Sequence, residues 1–250
     1  MSFKERFYKS MQTPHSARDL YEFVTERGIY VNWIVEAGCQ DGSDTEILAS
    51  LFNPFTYYAF EPDPVAFEFA KNRISNLATK GYSIELSKFA LMDVSGDASI
   101  VYIGHPGGGS TQIHYTEKNE KEVRAQIIKF DDLRIRERTN GLLWLDVEGN
   151  AVSVLQGMQE SLQKFSVAKI EVEFHDMSIS RLQNFQKVIA LMKNANFRVV
   201  KSDIRPGFFG DILFVDRKLL NLRDFTNSFF VTWTTFFLHG FLYPILKKPT

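Results

Sequence analysis

Trp33-Ile34-Val35-Glu36-Ala37-Gly38-Cys39-Gln40-Asp41-Gly42 is an apolar run ending in a glycine turn, and a helix-length segment separates it from Tyr57-Tyr58-Ala59-Phe60-Glu61-Pro62. Strand, glycine turn, helix and second apolar strand make a nucleotide-binding βαβ unit. Glu61, 19 residues after Gly42, stands where an acid hydrogen-bonds a ribose diol. The turn narrows the ligand further. A dinucleotide site uses G-x-G-x-x-G so that backbone N–H groups close on a pyrophosphate. Here the glycines are spaced G-x-x-x-G, no Lys or Arg is nearby, and both Glu36 and Asp41 are acidic. Two carboxylates repel a diphosphate but suit a ligand with an ammonium and a sulfonium. S-adenosylmethionine is such a ligand. The competing reading is a tight strand-to-helix turn of any α/β protein.

Outward from this unit, the chain reads as one α/β domain with an appendage. Its 250 residues are enough to bury a full sheet between helix layers. With 44% hydrophobic and 24% charged residues the composition is that of an ordinary soluble globule rather than a disordered chain. A formal net charge of −1 counts against a nucleic-acid partner, which calls for a basic stripe. Cys39 is the only cysteine, which excludes an internal disulfide and a cysteine-based zinc site and suits a reducing compartment. The N-terminus, Met1-Ser2-Phe3-Lys4-Glu5-Arg6-Phe7, lacks the apolar core of a signal peptide, and a cytoplasmic location is expected.

Ser16-Ala17-Arg18-Asp19 resembles a capping box opening a helix that stops near Gly28. Strands are expected at Trp33–Ala37 and Tyr57–Phe60. Asp63-Pro64 then starts a helix with Ala66, Phe69, Ala70, Ile74 and Leu77 on one face. Short strands at Ser83–Leu86 and Phe89–Met92 lead to a hairpin at Ser95-Gly96-Asp97, which continues into Ile100–Ile103. A polar, glycine-rich loop is expected from Gly104 to about Lys121, a lid or a solvated hairpin, and Val123–Phe130 alternates like an extra strand. Leu142–Asp146 is a near-continuous apolar run, as for a central parallel strand. The helix after it carries Ala151, Leu155, Met158 and Leu162, and Lys169–Phe174 is another strand. A helix over Arg181–Asn194 and strands at Phe197–Val200 and Ile212–Val215 complete a doubly wound, Rossmann-like sheet.

Ligands of such sheets bind beyond the carboxyl ends of the strands. Two ends are loaded: Asp146-Val147-Glu148-Gly149-Asn150 and Glu173-Phe174-His175-Asp176. If the two strands are neighbours, Asp146, Glu148, Glu173 and His175 face one crevice. Methyl transfer to a hydroxyl requires the oxygen to lose its proton, and His175 is the preferred base, with Asp146 orienting substrate or donor and Glu173 beside them. The same oxygen-rich cluster has the chemistry of a divalent-cation site; that reading is not favoured and no metal ligand is assigned. Asp146 and Glu148 also suit the N-terminus of the following helix, with Asn150 as its cap.

Together these motifs resemble the FkbM family of S-adenosylmethionine-dependent O-methyltransferases. The matching pieces are Val35-Glu36-Ala37-Gly38-Cys39-Gln40-Asp41-Gly42, Phe60-Glu61-Pro62-Asp63-Pro64, Phe89-Ala90-Leu91-Met92-Asp93, Phe130-Asp131-Asp132-Leu133, Leu145-Asp146-Val147-Glu148-Gly149 and Ile170-Glu171-Val172-Glu173. The resemblance runs from Val31 to Val215 and implies a class I methyltransferase fold that methylates hydroxyls of sugars or natural products. It places Glu36, Gly38 and Gly42 at the methionine end of the donor, Glu61 at its ribose and Ala90 near its adenine. Two positions depart from the pattern: Trp144 where the family usually has Lys, and Asn150 where it has an acidic or small residue.

The expected division is an N-terminal helical segment over 1–30, a methyltransferase domain over 31–220 and an aromatic appendage over 221–250. Phe225–Leu246 is a run of 22 residues without Asp, Glu, Lys or Arg, rich in Phe and flanked by Arg223 and Lys247-Lys248. Asn227, Thr232, Thr234, His239 and Pro244 make it a poor membrane span. An amphipathic helix in a membrane interface, or one packed on a second subunit or on its own domain, fits its stripe of aromatics. The leading reading is methylation of a sugar hydroxyl in a glycan or glycolipid. A polyketide or other small-metabolite acceptor and a non-catalytic membrane- or partner-binding module are the alternatives.

Overall fold

The computed structural model describes residues 16–102, 111–114, 123–172, 180–202 and 210–220. Ser16 caps the first helix, α1 (Ala17–Glu26). Its hydroxyl accepts from the Asp19 backbone N–H, and the Asp19 carboxylate accepts from the Ser16 backbone in return. The βαβ unit follows as β1 (Trp33–Ala37), α2 (Ser43–Phe52) and β2 (Thr56–Phe60). Helix α3 (Pro64–Thr79) starts at Asp63, whose side chain accepts from the Val65 N–H while Pro64 takes the first turn. Strands β3 (Ile84–Ser87), β4 (Phe89–Leu91), β5 (Gly96–Tyr102), β6 (Thr111–His114) and β7 (Val123–Ile128) come next. The chain then runs through β8 (Gly141–Leu145), α4 (Ala151–Gln156), β9 (Phe165–Val172), α5 (Ser180–Asn194), β10 (Phe197–Ser202) and β11 (Gly210–Asp216).

The main sheet has seven strands in the order β10-β11-β9-β8-β1-β2-β3. β1 lies parallel to both β2 and β8, and β8 parallel to β9, whereas β11 runs antiparallel between β9 and β10. The chain leaves β1 toward β2 on one side and returns through β8 on the other. The carboxyl ends of β1 and β8 therefore border the switch point where such sheets open a crevice.

Successive residues of the central strands serve opposite faces. Trp33, Val35 and Ala37 join Leu143, Leu145, Ala168 and Ile170 in the layer covered by α4 and α5, where Phe185, Val188 and Met192 pack. Ile34, Leu142, Trp144 and Val167 face the other layer, with Leu20 and Phe23 of α1 and Leu48 of α2. Each such aliphatic side chain withdrawn from water stabilises the fold by about 1.5–3 kcal/mol. Glu36, in line with Ile34, carries a carboxylate into that second apolar layer.

Four expectations need correction. The turn at Ser95-Gly96 does not pair β4 with β5: the second sheet runs β4-β7-β5-β6, with β7 parallel to β4 and antiparallel to β5. The glycine-rich stretch contains a strand, β6, antiparallel to β5; the rest of that stretch lies outside the described residues. Phe69 is not in the buried stripe of α3. It is 58% exposed, one residue and so about 100° of helix away from buried Ala70. Ala151, Leu155, Met158 and Leu162 are all buried as expected, but α4 ends at Gln156 and the chain reaches Leu162 through turns. Residues 1–15 of the N-terminal segment expected over 1–30, and the whole appendage expected over 221–250, lie outside the described residues. Among the described residues no helix is long and apolar enough to cross a membrane.

Candidate functional site

At the end of β1, Glu36 is fully buried. Its Oε2 accepts hydrogen bonds from Thr45 Oγ1 at 2.5 Å and from the Tyr57 hydroxyl at 2.7 Å, while Oε1 has no hydrogen-bond partner. Burial pushes its pKa up to about 7 against the lowering effect of those two donors. A buried polar atom left unsatisfied costs about 1–3 kcal/mol, and the described protein supplies no donor to Oε1.

Glu61 closes β2 and is 5% exposed. Its Oε1 accepts from the Asp63 N–H at 2.8 Å and its Oε2 from the Gln40 N–H at 2.9 Å, which ties the second strand to the glycine turn. Burial raises this carboxyl as well, to about 7.

The turn between them is not a phosphate cradle, for a reason only the structure supplies. Gly38 and Cys39 donate their N–H groups to the Phe60 carbonyl at 2.9 and 3.1 Å, Gln40 donates to Glu61, and Gly42 donates to the Cys39 carbonyl at 2.7 Å. These donors are spent on the end of β2 and on the turn itself.

The two glycines have different duties. Gly38 has φ +82°, and a Cβ there would come within 1.7 Å of the Asp146 carbonyl oxygen, because the chain leaving β8 crosses the turn at that point. Asp146 N–H donates to the Ala37 carbonyl at 3.0 Å and fixes the crossing. Gly42, φ +78°, lies 3.3 Å by its built Cβ from the Ala70 Cα and packs the turn on α3; it does not line the crevice. Asp41 also turns away. Its Oδ2 pairs with Arg73 of α3 at 2.9 Å, so a cation does stand near the turn, brought in from 32 residues along the chain. Burial raises the Asp41 carboxyl, but hydrogen bonds from Ser43 and the Arg73 guanidinium outweigh it and hold the pKa below its usual value.

What remains is a crevice between the ends of β1, β2, β4 and β8, placed where ligands of such sheets bind. Glu36, Gly38, Glu61, Ala90 and Asp146 all line it, and Phe60, Phe89 and Leu91 give it an apolar wall. Its described lining carries six carboxylates, Glu36, Asp44, Glu61, Asp63, Asp146 and Glu148, and no Lys, Arg or His. Burial also raises the pKa of Asp44. Glu148 and Gly149 take positive φ of 47° and 86°, a tight reversal that returns the chain to α4. Asn150 sits at the start of that helix without a side-chain cap; its amide instead donates to the Val147 carbonyl at 3.2 Å.

Beside the crevice the sequence reading missed a residue. β8 and β9 are neighbours, as that reading required, and Leu145 is in register with Ile170, so Asp146 and Glu171 are adjacent. Burial, together with the like charge of the adjacent Asp146 carboxyl, pushes the Glu171 pKa to about 8. Next to it, Lys169 is 4% exposed, 2.7 Å from Asp211 Oδ1 and 4.3 Å above the Trp144 ring, its register partner on β8. A cation therefore reaches this position from β9, where the resemblance expected a Lys in β8. Alternating exposure would have flagged Glu171 only if the strand's inner face were known. Glu173 and His175 lie outside the described residues. Among the described residues no group of three or more His, Cys, Asp or Glu is arranged to hold a metal ion.

This geometry can be set beside known proteins. The Methyltransferase FkbM domain matches residues 36–199. The fold is similar to the FkbM methyltransferase structure from Methylobacillus flagellatus KT, with a TM-score of 0.52 and 11% identity over 82% of this chain and 56% of that one. This chain thus spans little more than half the length of that structure. It is also similar to a structure from Clostridium thermocellum named as an rRNA methylase, with a TM-score of 0.50 and 12% identity over 82% of this chain and 97% of that one. No curated protein matches by sequence. The matched segment runs from the carboxylate that ends β1 to the closing strand pair, over about two thirds of the sequence, and the chain belongs to the FkbM methyltransferase family, on the Rossmann-like class I methyltransferase fold.

Proposed function

We propose that the chain is an S-adenosylmethionine-dependent O-methyltransferase acting on a hydroxyl of a sugar in a glycan or glycolipid. The observation that carries this reading is the unpartnered Glu36 Oε1, fully buried in a crevice whose described lining holds six carboxylates and no cation. An ammonium group satisfies that oxygen, and a positively charged ligand relieves the mutual repulsion of the acids. Glu61, held rigid by two backbone N–H groups, is placed for a ribose diol, and the wall of Phe60, Phe89 and Leu91 suits a flat base beside Ala90. When bound, the donor supplies an activated methyl group on sulfur.

The same charge pattern selects the acceptor. Phosphorylated or carboxylated acceptors are repelled by the crevice, whereas a neutral polyhydroxyl compound is not. Asp146 lines the crevice beside the strand end where transfer takes place and is the chain's described group best placed to orient an acceptor hydroxyl. His175 and Glu173, which follow β9 in the sequence, are proposed to complete the acceptor side. The domain proper is proposed to span 31–220, and the aromatic segment 225–246 to hold the protein at a membrane interface or in a homodimer, which suits a lipid-linked sugar acceptor at the cytoplasmic face.

Calorimetry with S-adenosylmethionine tests the donor half. Micromolar-range binding by the parent, lost in Glu61→Ala, supports the reading; no binding by the folded parent refutes it. Incorporation of labelled methyl groups into glycan and glycolipid extracts tests the acceptor half. Label confined to small metabolites would replace the sugar with a natural-product acceptor.

A further inference from the structure

Four ionisable side chains meet along the carboxyl ends of β8 and β9 and the amino end of the antiparallel β11. Asp146 follows β8, and Glu171 lies beside it on β9 by the parallel register Leu145 to Ile170. Asp211 is the antiparallel register partner of Glu171 on β11, and Lys169 ion-pairs with Asp211 from beneath. The charges facing the pair from the other packed elements are Glu36 on β1, Asp44 on α2 and Glu61 after β2, all acidic. Among the described residues Lys169 is the cation beside this group, and it is committed to Asp211. Two adjacent carboxyls in such surroundings hold one proton between them, since both ionised would repel each other among further acids.

We propose that Glu171 is the positioning residue of this site. It shares one proton with Asp146, fixes the direction of the Asp146 carboxyl at the crevice, and makes the pair, rather than Asp146 alone, the acceptor of the proton that a substrate hydroxyl loses. This rests on the methyl-transfer reading of the crevice. In the transfer the acceptor's O–H bond breaks and its electron pair forms the new O–CH3 bond. The donor's C–S pair stays on sulfur, and the proton passes to the pair, which then carries two. Proton loss to bulk solvent restores the singly protonated pair. Burial and the neighbouring Asp146 charge, which place the Glu171 carboxyl near 8, keep one proton on the pair at neutrality and leave its ionised partner, Asp146, as the member that takes the hydroxyl proton.

Carboxyl titration of the full chain, 13C-labelled at Asp and Glu side chains and followed by NMR, tests this without an acceptor in hand. The expected result is one carboxyl signal titrating above neutrality that disappears in Glu171→Gln. In Asp146→Asn the same signal should move to lower pH by about one unit or more, because the like charge is gone. A Glu171 signal that titrates near the ordinary Glu value, or one indifferent to Asp146→Asn, overturns the proposal. So does displacement of the titration by added Mg2+, which would put a shared cation in place of the shared proton. S-adenosylmethionine binding by the parent, measured on the same sample, reports on the methyl-transfer reading separately. Shared-proton behaviour without donor binding would refute that reading and leave the pair itself standing.

Discussion

Glu36→Gln isolates the charge of a fully buried carboxylate. The amide oxygen takes the place of Oε2 and still accepts from Thr45 Oγ1 and Tyr57 OH, while the NH2 replaces the unpartnered Oε1, so shape and existing hydrogen bonds survive and only the charge goes. The folded carboxyl ionises near 7, against 4.5 as the ordinary value. A raised carboxyl pKa means that the folded state holds the proton more tightly than the unfolded chain. Stability is therefore lost as pH rises from about 4.5 to about 7, and the loss stays constant above that. A displacement of this size corresponds to an upper limit of about 3 kcal/mol, of which about 2–3 kcal/mol develops between pH ~5 and pH ~8. Ligand-free Glu36→Gln should thus match the parent near pH ~5 and melt several degrees higher near pH ~8, at about 2–4 °C per kcal/mol for a chain of this size. Its affinity for S-adenosylmethionine should fall about 10–100-fold, the loss of one charge-assisted hydrogen bond. The assays are pH-dependent thermal denaturation and calorimetry. A variant destabilised equally at all pH values, with donor binding intact, would refute both the strained carboxylate and its contact with the donor.

Three further outcomes follow from the same geometry. Tyr57→Phe removes a donor that lowers the Glu36 pKa, so the pH at which donor binding reaches half its maximum should move upward; an unchanged profile would remove Glu36 from the binding equilibrium. Gly38→Ala places a Cβ against the Asp146 carbonyl and should cost about 3 kcal/mol or more in urea denaturation, whereas Gly28→Ala, with open space around the site though also at positive φ, should cost about 1–2 kcal/mol. Lys169→Met strands the Asp211 carboxylate in a buried position and should destabilise by about 3–5 kcal/mol, most of it recovered in Lys169→Met/Asp211→Asn. Equal stability of the single and double variants would show that the pair is not coupled.

Much of the framework was readable from residue order. Apolar runs bounded by turn residues located β1, β2, β8 and β11, and the capping residues Ser16 and Asp63 marked two helix starts, because those signals act within a few residues of themselves. The donor carboxylates were readable for the same reason: Glu36 and Glu61 each end a strand of one βαβ unit. Pairing was not. The insertion of β7 between β4 and β5 is a choice among strands of similar local pattern, and only long-range packing makes it. Arg73 reached Asp41, and Lys169 reached Trp144, across separations that no motif spans.

The sequence by itself determined the order of elements, the glycine turn and the acids that close the first two strands, since each follows from local sterics and periodicity. Tertiary structure decided which acids count. Folding sent Asp41 outward to a guanidinium, left Glu36 dry with one oxygen unpaired, and set Glu171 against Asp146 by the register of two neighbouring strands. Charge and type are properties of a residue, whereas desolvation and proximity, which give these carboxyls their pKa values, exist only when the sheet is assembled.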